Sequence, residues 1–187
     1  MKSYIIHFIR HGSIDDTLAG KYIGTTDAPL SDRGRMDLRK LDYEYKYPGT
    51  QVVFTSPLKR CTETAKILYP EQKPLVIDNL SECNFGEWEG KTADELKNDP
   101  DFKKWLAGDS SVKPPRGESN AEFTRRVCKM FESIVEGLMK TGTTESVIVT
   151  HGGVIMTLLA VYGLPQAKPF EWTMDNGFGY SLRVTPV

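Results

Sequence analysis

Arg10-His11-Gly12 follows Tyr4–Ile9, a run that is apolar or aromatic except for His7. An arginine and a histidine at the exit of a buried strand are costly unless something partners them. The guanidinium is a planar fork that fits phosphate, and the imidazole offers a nitrogen that is neutral near pH 7. Gly12 removes a side chain where something must approach the backbone. The tripeptide reads as a nucleophile beside an oxyanion clamp. Arg60 and His151 repeat the pairing further along, each close behind another short apolar run. Phosphoryl transfer also needs a proton for the leaving oxygen. Glu82 is the best-placed donor, in the glycine-rich stretch NLSECNFGEWEGKT, with Glu87 and Glu89 as alternatives. His7, inside the apolar run, reads instead as a core histidine with its own partners.

The elements that must position these groups follow from pattern and punctuation. Tyr4–Ile9, Gln51–Thr55, Pro74–Asp78 and Ser146–Thr150 read as short buried strands, and Tyr180–Val184 as an edge strand. Ser31 caps a helix over Asp32–Tyr45 with Leu38, Leu41 and Tyr45 inward. Ser56-Pro57 reads as an N-cap and first helical residue, which puts Arg60 in a first turn near a strand end. Thr92–Glu95 and Ser119–Glu122 have the form of capping boxes. The second opens a long helix with Phe123, Val127, Phe131, Ile134 and Leu138 on one stripe, stopped by Gly142. An apolar helix follows His151-Gly152-Gly153. Asp99 to Pro115 reads as irregular, anchored by Trp105. Residues 13–31 have no sustained period, and a loop of that length is usually functional. Alternating strands and helices predict an α/β three-layer sandwich, with a mostly parallel central sheet and helices on both faces. In such sheets ligands bind beyond the carboxyl ends of the strands, where helix amino ends favour anions. Arg10, His11, Arg60 and His151 all fall there.

Length and composition narrow the rest. At 187 residues one domain over 1–187 is the default, and it can bury a substantial core. A net charge of −1 gives no global argument for nucleic acid or membrane surfaces, so an anion site must be local. No apolar run approaches the roughly 20 residues that cross a bilayer, and the first strand is too short for a signal-peptide core. Cys61, Cys83 and Cys128 make neither a disulfide framework nor a metal cluster. The expectation is a cytoplasmic protein without a metal site. Oligomeric state is not legible.

The motifs together resemble the histidine phosphatases, the family that includes cofactor-dependent phosphoglycerate mutases. The likeness runs through Ile9-Arg10-His11-Gly12, Tyr22-x-Gly24-x-x-Asp27-x-Pro29-Leu30-Ser31, and Ser56-Pro57-Leu58-x-Arg60-Cys61-x-x-Thr64-Ala65. It continues in Leu80-x-Glu82, Phe85-Gly86-Glu87-Trp88-Glu89-Gly90, Gly117-Glu118-Ser119 and Thr150-His151-Gly152-Gly153. The resemblance implies a phosphoglycerate mutase-like fold and a phosphomonoesterase acting through phosphohistidine on a small phosphate ester, with no metal and no organic cofactor. It implies that His11 attacks phosphorus, that Arg10, Arg60 and His151 bind phosphoryl oxygens, and that Glu82 is the acid and later the base. It adds Ser13, Thr17, Gly24 and Gly152 to the phosphate- and substrate-binding set. Ser13, Ile14 and Thr17 stand where many relatives have Glu or Gln, Thr and Asn, so Ser13 or Thr17 would replace the Asn ligand. Ser81 stands where relatives often carry arginine. The short segment before the long helix, and Cys83 after the acid, favour hydrolysis over mutase chemistry. GKYIGTTDAPLS, SPLKRCTETA and FGEWEG most resemble α-ribazole-5′-phosphate phosphatases of cobalamin assembly. The other readings are a broad phosphatase of sugar or organic phosphates, a phosphoglycerate mutase, or an inactive binding or regulatory module, against which the intact Arg10, His11, Arg60, Glu82 and His151 argue.

Overall fold

Tyr4–Arg10 (β1) and Glu145–Thr150 (β4) form the middle of a five-stranded sheet in a computed structural model that describes residues 2–185. Met1, Pro186 and Val187, part of the expected 1–187 domain, lie outside the described residues. The remaining strands are Val52–Thr55 (β2), Leu75–Val76 (β3) and Gly179–Val184 (β5), and the order is β3-β2-β4-β1-β5. All neighbours are parallel except β5, which pairs antiparallel with β1 at one edge.

Side-chain alternation in β4 explains the layering. Ile148 faces one core with Ile6 and Phe8, under the helices Asn120–Thr141 (here α5) and Gly152–Tyr162 (α6). Val147 and Val149 face a second core with Leu38 of α1 (Asp32–Tyr45) and Cys61, Ala65 and Leu68 of α2 (Lys59–Leu68). A central strand buried on both sides reads as a continuous apolar run. A smaller aromatic cluster holds Trp88, Leu96 of α3 (Ala93–Leu96) and Phe102 of α4 (Pro100–Leu106), with Trp105 packed against it. The three-layer α/β expectation holds, as do both capping boxes and the buried stripe of α5.

Several local expectations are corrected. Ser56 does not cap α2: the helix starts at Lys59 behind Leu58, which makes no side-chain cap bond. Asp27 accepts the Lys59 N–H at 2.7 Å instead, a cap supplied from another loop. Asp99 to Pro115 is not wholly irregular, because Asp99 accepts the Asp101 and Phe102 N–H groups and Pro100 begins α4. The third strand shrinks to two residues, and a 3-10 turn at Asp78–Leu80 follows. Tyr45 is 71% exposed rather than inward, while Leu38 is buried as expected. His7 bonds Ser181 Oγ at 2.7 Å and Glu145 Oε1 at 3.0 Å, so it is partnered away from the strand ends.

Candidate active site

Register begins the assembly. β1 and β4 pair with Arg10 opposite Thr150, so His11 and His151 leave the sheet side by side. Their ring centroids stand 5.2 Å apart at 64°. β2 lies on the other side of β4, and the Ser56 N–H donates to the Val149 carbonyl, which brings the α2 approach to the same end. A cavity of about 510 Å³ opens there, bordered by Arg10, His11, Arg60, Glu82 and Gly152 among others.

His11 is 8% exposed, and its Nδ1 donates to the Gly12 carbonyl at 2.7 Å. That bond leaves Nε2 with its lone pair. Burial is the main cause that lowers the His11 pKa to about 3; the Gly12 bond raises it, and Arg60 and Arg10 lower it further. The imidazole is therefore neutral at neutral pH, as a nucleophile must be. His151 is fully buried and does not border the cavity. Its Nε2 lies 2.8 Å from Ser56 Oγ, and burial, then His11, Arg60 and Arg10, hold its pKa well below the ordinary value. Ser56 Oγ, held at His151, reaches only the Leu58 N–H, at 3.4 Å, and no N–H within α2.

Arg10 borders the cavity and donates through one terminal nitrogen to the Met174 carbonyl at 2.7 Å. Its buried Nε has no partner among the described residues. Arg60, 1% exposed, donates to the Gly24 and Thr26 carbonyls, each at 2.7 Å. Those carbonyls are held in turn by Glu89, whose carboxylate accepts N–H groups of Gly24, Thr25 and Thr26 and the Thr26 hydroxyl. Gly24 therefore orients Arg60 and does not border the cavity, and Glu89 is spent behind it. Glu87 pairs instead with exposed Arg116 at 3.6 Å. Of the three glutamates only Glu82 borders the cavity.

Glu82 accepts the Cys83 N–H through Oε1 and the Gly153 N–H through Oε2, both at 3.0 Å. Burial raises its carboxyl pKa above the ordinary value, against those two bonds and the nearby Arg60 and Arg10. A Cβ on Gly153 would run into Glu82 Oε1, so the carboxylate needs glycine there. Gly12 has a different reason from the one the sequence suggests: a Cβ would meet Leu38 at 2.7 Å, so packing behind the strand excludes it.

Ser13 and Gly152 border the cavity, whereas Thr17 does not; Thr17 donates its N–H to Asp15 in an exposed turn. Three contributions escaped sequence reasoning. Asn176 borders the cavity and donates to the His11 carbonyl. Met156 and Met174 form apolar wall. Arg126, paired with Glu118 at 2.7 and 2.8 Å, grips the carbonyls of Asn79, Ser81 and Glu82 and so fixes the loop that carries Glu82. The Asn176-Gly177 pair is a legible turn signal; the Arg126 grip has none, because it joins residues distant in sequence.

Comparison with known proteins bears on the family and the fold. The profile of the histidine phosphatase superfamily (branch 1) matches residues 6–186. Phosphoserine phosphatase 1 of Hydrogenobacter thermophilus is 29% identical over 180 residues, 93% of this chain and 83% of that protein. The crystal structure of the alpha-ribazole phosphatase from Shigella flexneri superposes with a TM-score of 0.82 at 25% identity, over 95% of this chain and 89% of the other. Phosphoglycerate mutase from Bacillus anthracis shares the fold, with a TM-score of 0.81 at 20% identity, over 98% of this chain and 88% of that one. With a profile match over nearly its whole length, the chain belongs to the histidine phosphatase superfamily.

Proposed function

We propose that the chain, acting as one catalytic domain, is a metal-independent phosphoric monoester hydrolase that works through a phosphohistidine on His11. One observation carries the reading: a neutral imidazole with Nδ1 spent on Gly12 shares a cavity with Arg10, Arg60 and Glu82. The unpartnered Nε of Arg10 is a costly group that a phosphoryl oxygen satisfies. In the first step Nε2 forms a bond to phosphorus, the ester P–O bond breaks, and Glu82 protonates the leaving oxygen. In the second, Glu82 takes a proton from water, the water oxygen bonds phosphorus and the N–P bond breaks, which frees inorganic phosphate. His151, with Nε2 on Ser56 and its proton then on Nδ1, stands behind His11 off the cavity, so its role as a phosphoryl-oxygen donor requires the ring to swing toward the bound phosphate. Ser13 and Gly152 complete the phosphate-facing wall.

A small phosphorylated metabolite is the substrate class, and α-ribazole 5′-phosphate is the leading candidate. The Shigella flexneri relative's name supports it, as does a cavity of about 510 Å³ with methionine on its wall, since thioethers pack well on flat aromatic rings. Phosphoserine is the second candidate, from the name of the Hydrogenobacter thermophilus relative and from Asp15 and Asp16, carboxylates on the cavity wall suited to an ammonium group. The test is turnover of α-ribazole 5′-phosphate, phosphoserine and 3-phosphoglycerate with chelator present, followed by alkaline quench with labelled substrate. Hydrolysis with label on the His11 peptide is expected. Label on His151, activity restored only by added metal, or no hydrolysis of any ester would overturn the reading. Activity only after priming with a bisphosphate would make it a mutase.

A further inference from the structure

Asn176 borders the catalytic cavity, yet both its N–H groups are turned back into the protein. We propose that Asn176 is a positioning residue for the nucleophile, holding His11 in the tautomer with its proton on Nδ1; the inference rests on His11 being that nucleophile.

The amide nitrogen donates to the His11 carbonyl at 2.9 Å and, more weakly, to the Gly12 carbonyl at 3.4 Å. Carbonyl oxygens only accept, so the NH₂ half of the amide must face them, and its two donors are spent. No donor is left for a phosphoryl oxygen. Asn176 therefore does not replace the phosphate-binding asparagine that the first motif lacks.

The Gly12 carbonyl is also the acceptor for His11 Nδ1. A glycine beside the nucleophile is conformationally permissive, and rotation of its peptide would remove that acceptor. The imidazole would then carry its proton on Nε2, where it has no lone pair for phosphorus. Thr64 Oγ1 fixes the Gly12 N–H at 3.0 Å, and Asn176 fixes the carbonyls on either side of that residue's backbone. Asn176 is itself rigidly placed. The Gly177 N–H donates to the Arg10 carbonyl, the Arg10 N–H donates to the Phe178 carbonyl, and the Tyr47 hydroxyl donates to the Gly177 carbonyl.

Asn176→Ala removes the donors, and Asn176→Asp removes them at nearly constant shape. Both should lower kcat at least about tenfold with KM within about twofold, since the wrong tautomer of a catalytic imidazole costs orders of magnitude in rate. Imidazole ¹⁵N spectra supply the readout that a packing role would not move. The chain has three histidines, and His11→Gln identifies the His11 signals. Wild-type His11 should be protonated on Nδ1, and both variants should show the Nε2-protonated form. Should Asn176→Ala not fold, Asn176→Asp carries the comparison, and the wild-type spectrum stands by itself. A wild-type proton on Nε2, a persistent Nδ1–H tautomer in a folded variant, or unchanged kcat overturns the proposal. Failure to trap label on wild-type His11 would instead sink the nucleophile assignment and leave the tautomer measurement standing.

Discussion

At the residue scale the carboxyl of Glu82 is the most delicately held group. Two backbone N–H bonds favour its charged form while burial opposes it, and the balance leaves its pKa raised. Gly153 is what lets the carboxylate sit there. In Gly153→Ala the new methyl meets the far end of a flexible side chain, so the carboxylate moves and the fold is spared. Hydrolysis of esters with poor leaving groups should fall by roughly 10²-fold, the usual contribution of a placed general acid, and activated aryl esters should be much less affected. Equal slowing of both ester types would remove Glu82 from the acid role. Arg60 behaves differently. It is buried and holds two carbonyls, so Arg60→Ala should lower kcat/KM by about 10²–10³ and also lower Tm. A variant with normal kinetics would remove it from the clamp.

Loops act as the working elements, and buried or half-buried charges hold them. Residues 24–26 present carbonyls to Arg60 only because Glu89 gathers their N–H groups. Glu89→Ala frees several donors at once and should cost roughly 1–3 kcal/mol of stability. Through Arg60 it should raise KM for phosphate esters although Glu89 does not border the cavity. Titration with inorganic phosphate as inhibitor checks this: an inhibition constant unchanged from wild type would break the proposed relay from Glu89 to Arg60. The Glu118–Arg126 pair performs the matching task for the loop carrying Glu82.

Across the whole molecule, burying two neutral histidines ties stability to pH. His11 has a folded pKa of about 3 against about 6.5 unfolded, and that of His151 is depressed in the same direction. Below about pH 6.5 the unfolded chain binds protons that the folded chain refuses. This part of the stability is complete above about 6.5 and is lost progressively as pH falls toward 3. A buried histidine of this kind contributes on the order of a few kcal/mol to that loss. Glu82, raised by burial, has the opposite sign and offsets part of it just above the ordinary carboxyl range. Urea unfolding between pH 7 and pH 5 should show the decline, and His11→Gln should flatten it. Identical slopes for the two proteins would mean that His11 is protonated in the folded state.

Order along the chain was enough to determine the α/β alternation, the long α5 stripe, the capping boxes and the strand-end placement of Arg10, His11, Arg60 and His151. Those features depend on local periodicity and on residue types at element boundaries, which a linear sequence carries directly. Glu82 was separable from Glu87 and Glu89 only by resemblance, because three carboxylates in one loop differ in what surrounds them and not in type. Tertiary structure decided that Glu82 borders the cavity while Glu89 turns behind it. It also decided that Asp27 caps α2 and Ser56 serves His151, since the helix begins at Lys59, beyond the Leu58 N–H that Ser56 Oγ reaches. Thr17 and Gly24, grouped with the binding residues by motif, stand off the cavity, whereas Asn176 reaches it from the far end of the chain. Such pairings are made by strand register and loop packing between distant segments, and no local pattern encodes them.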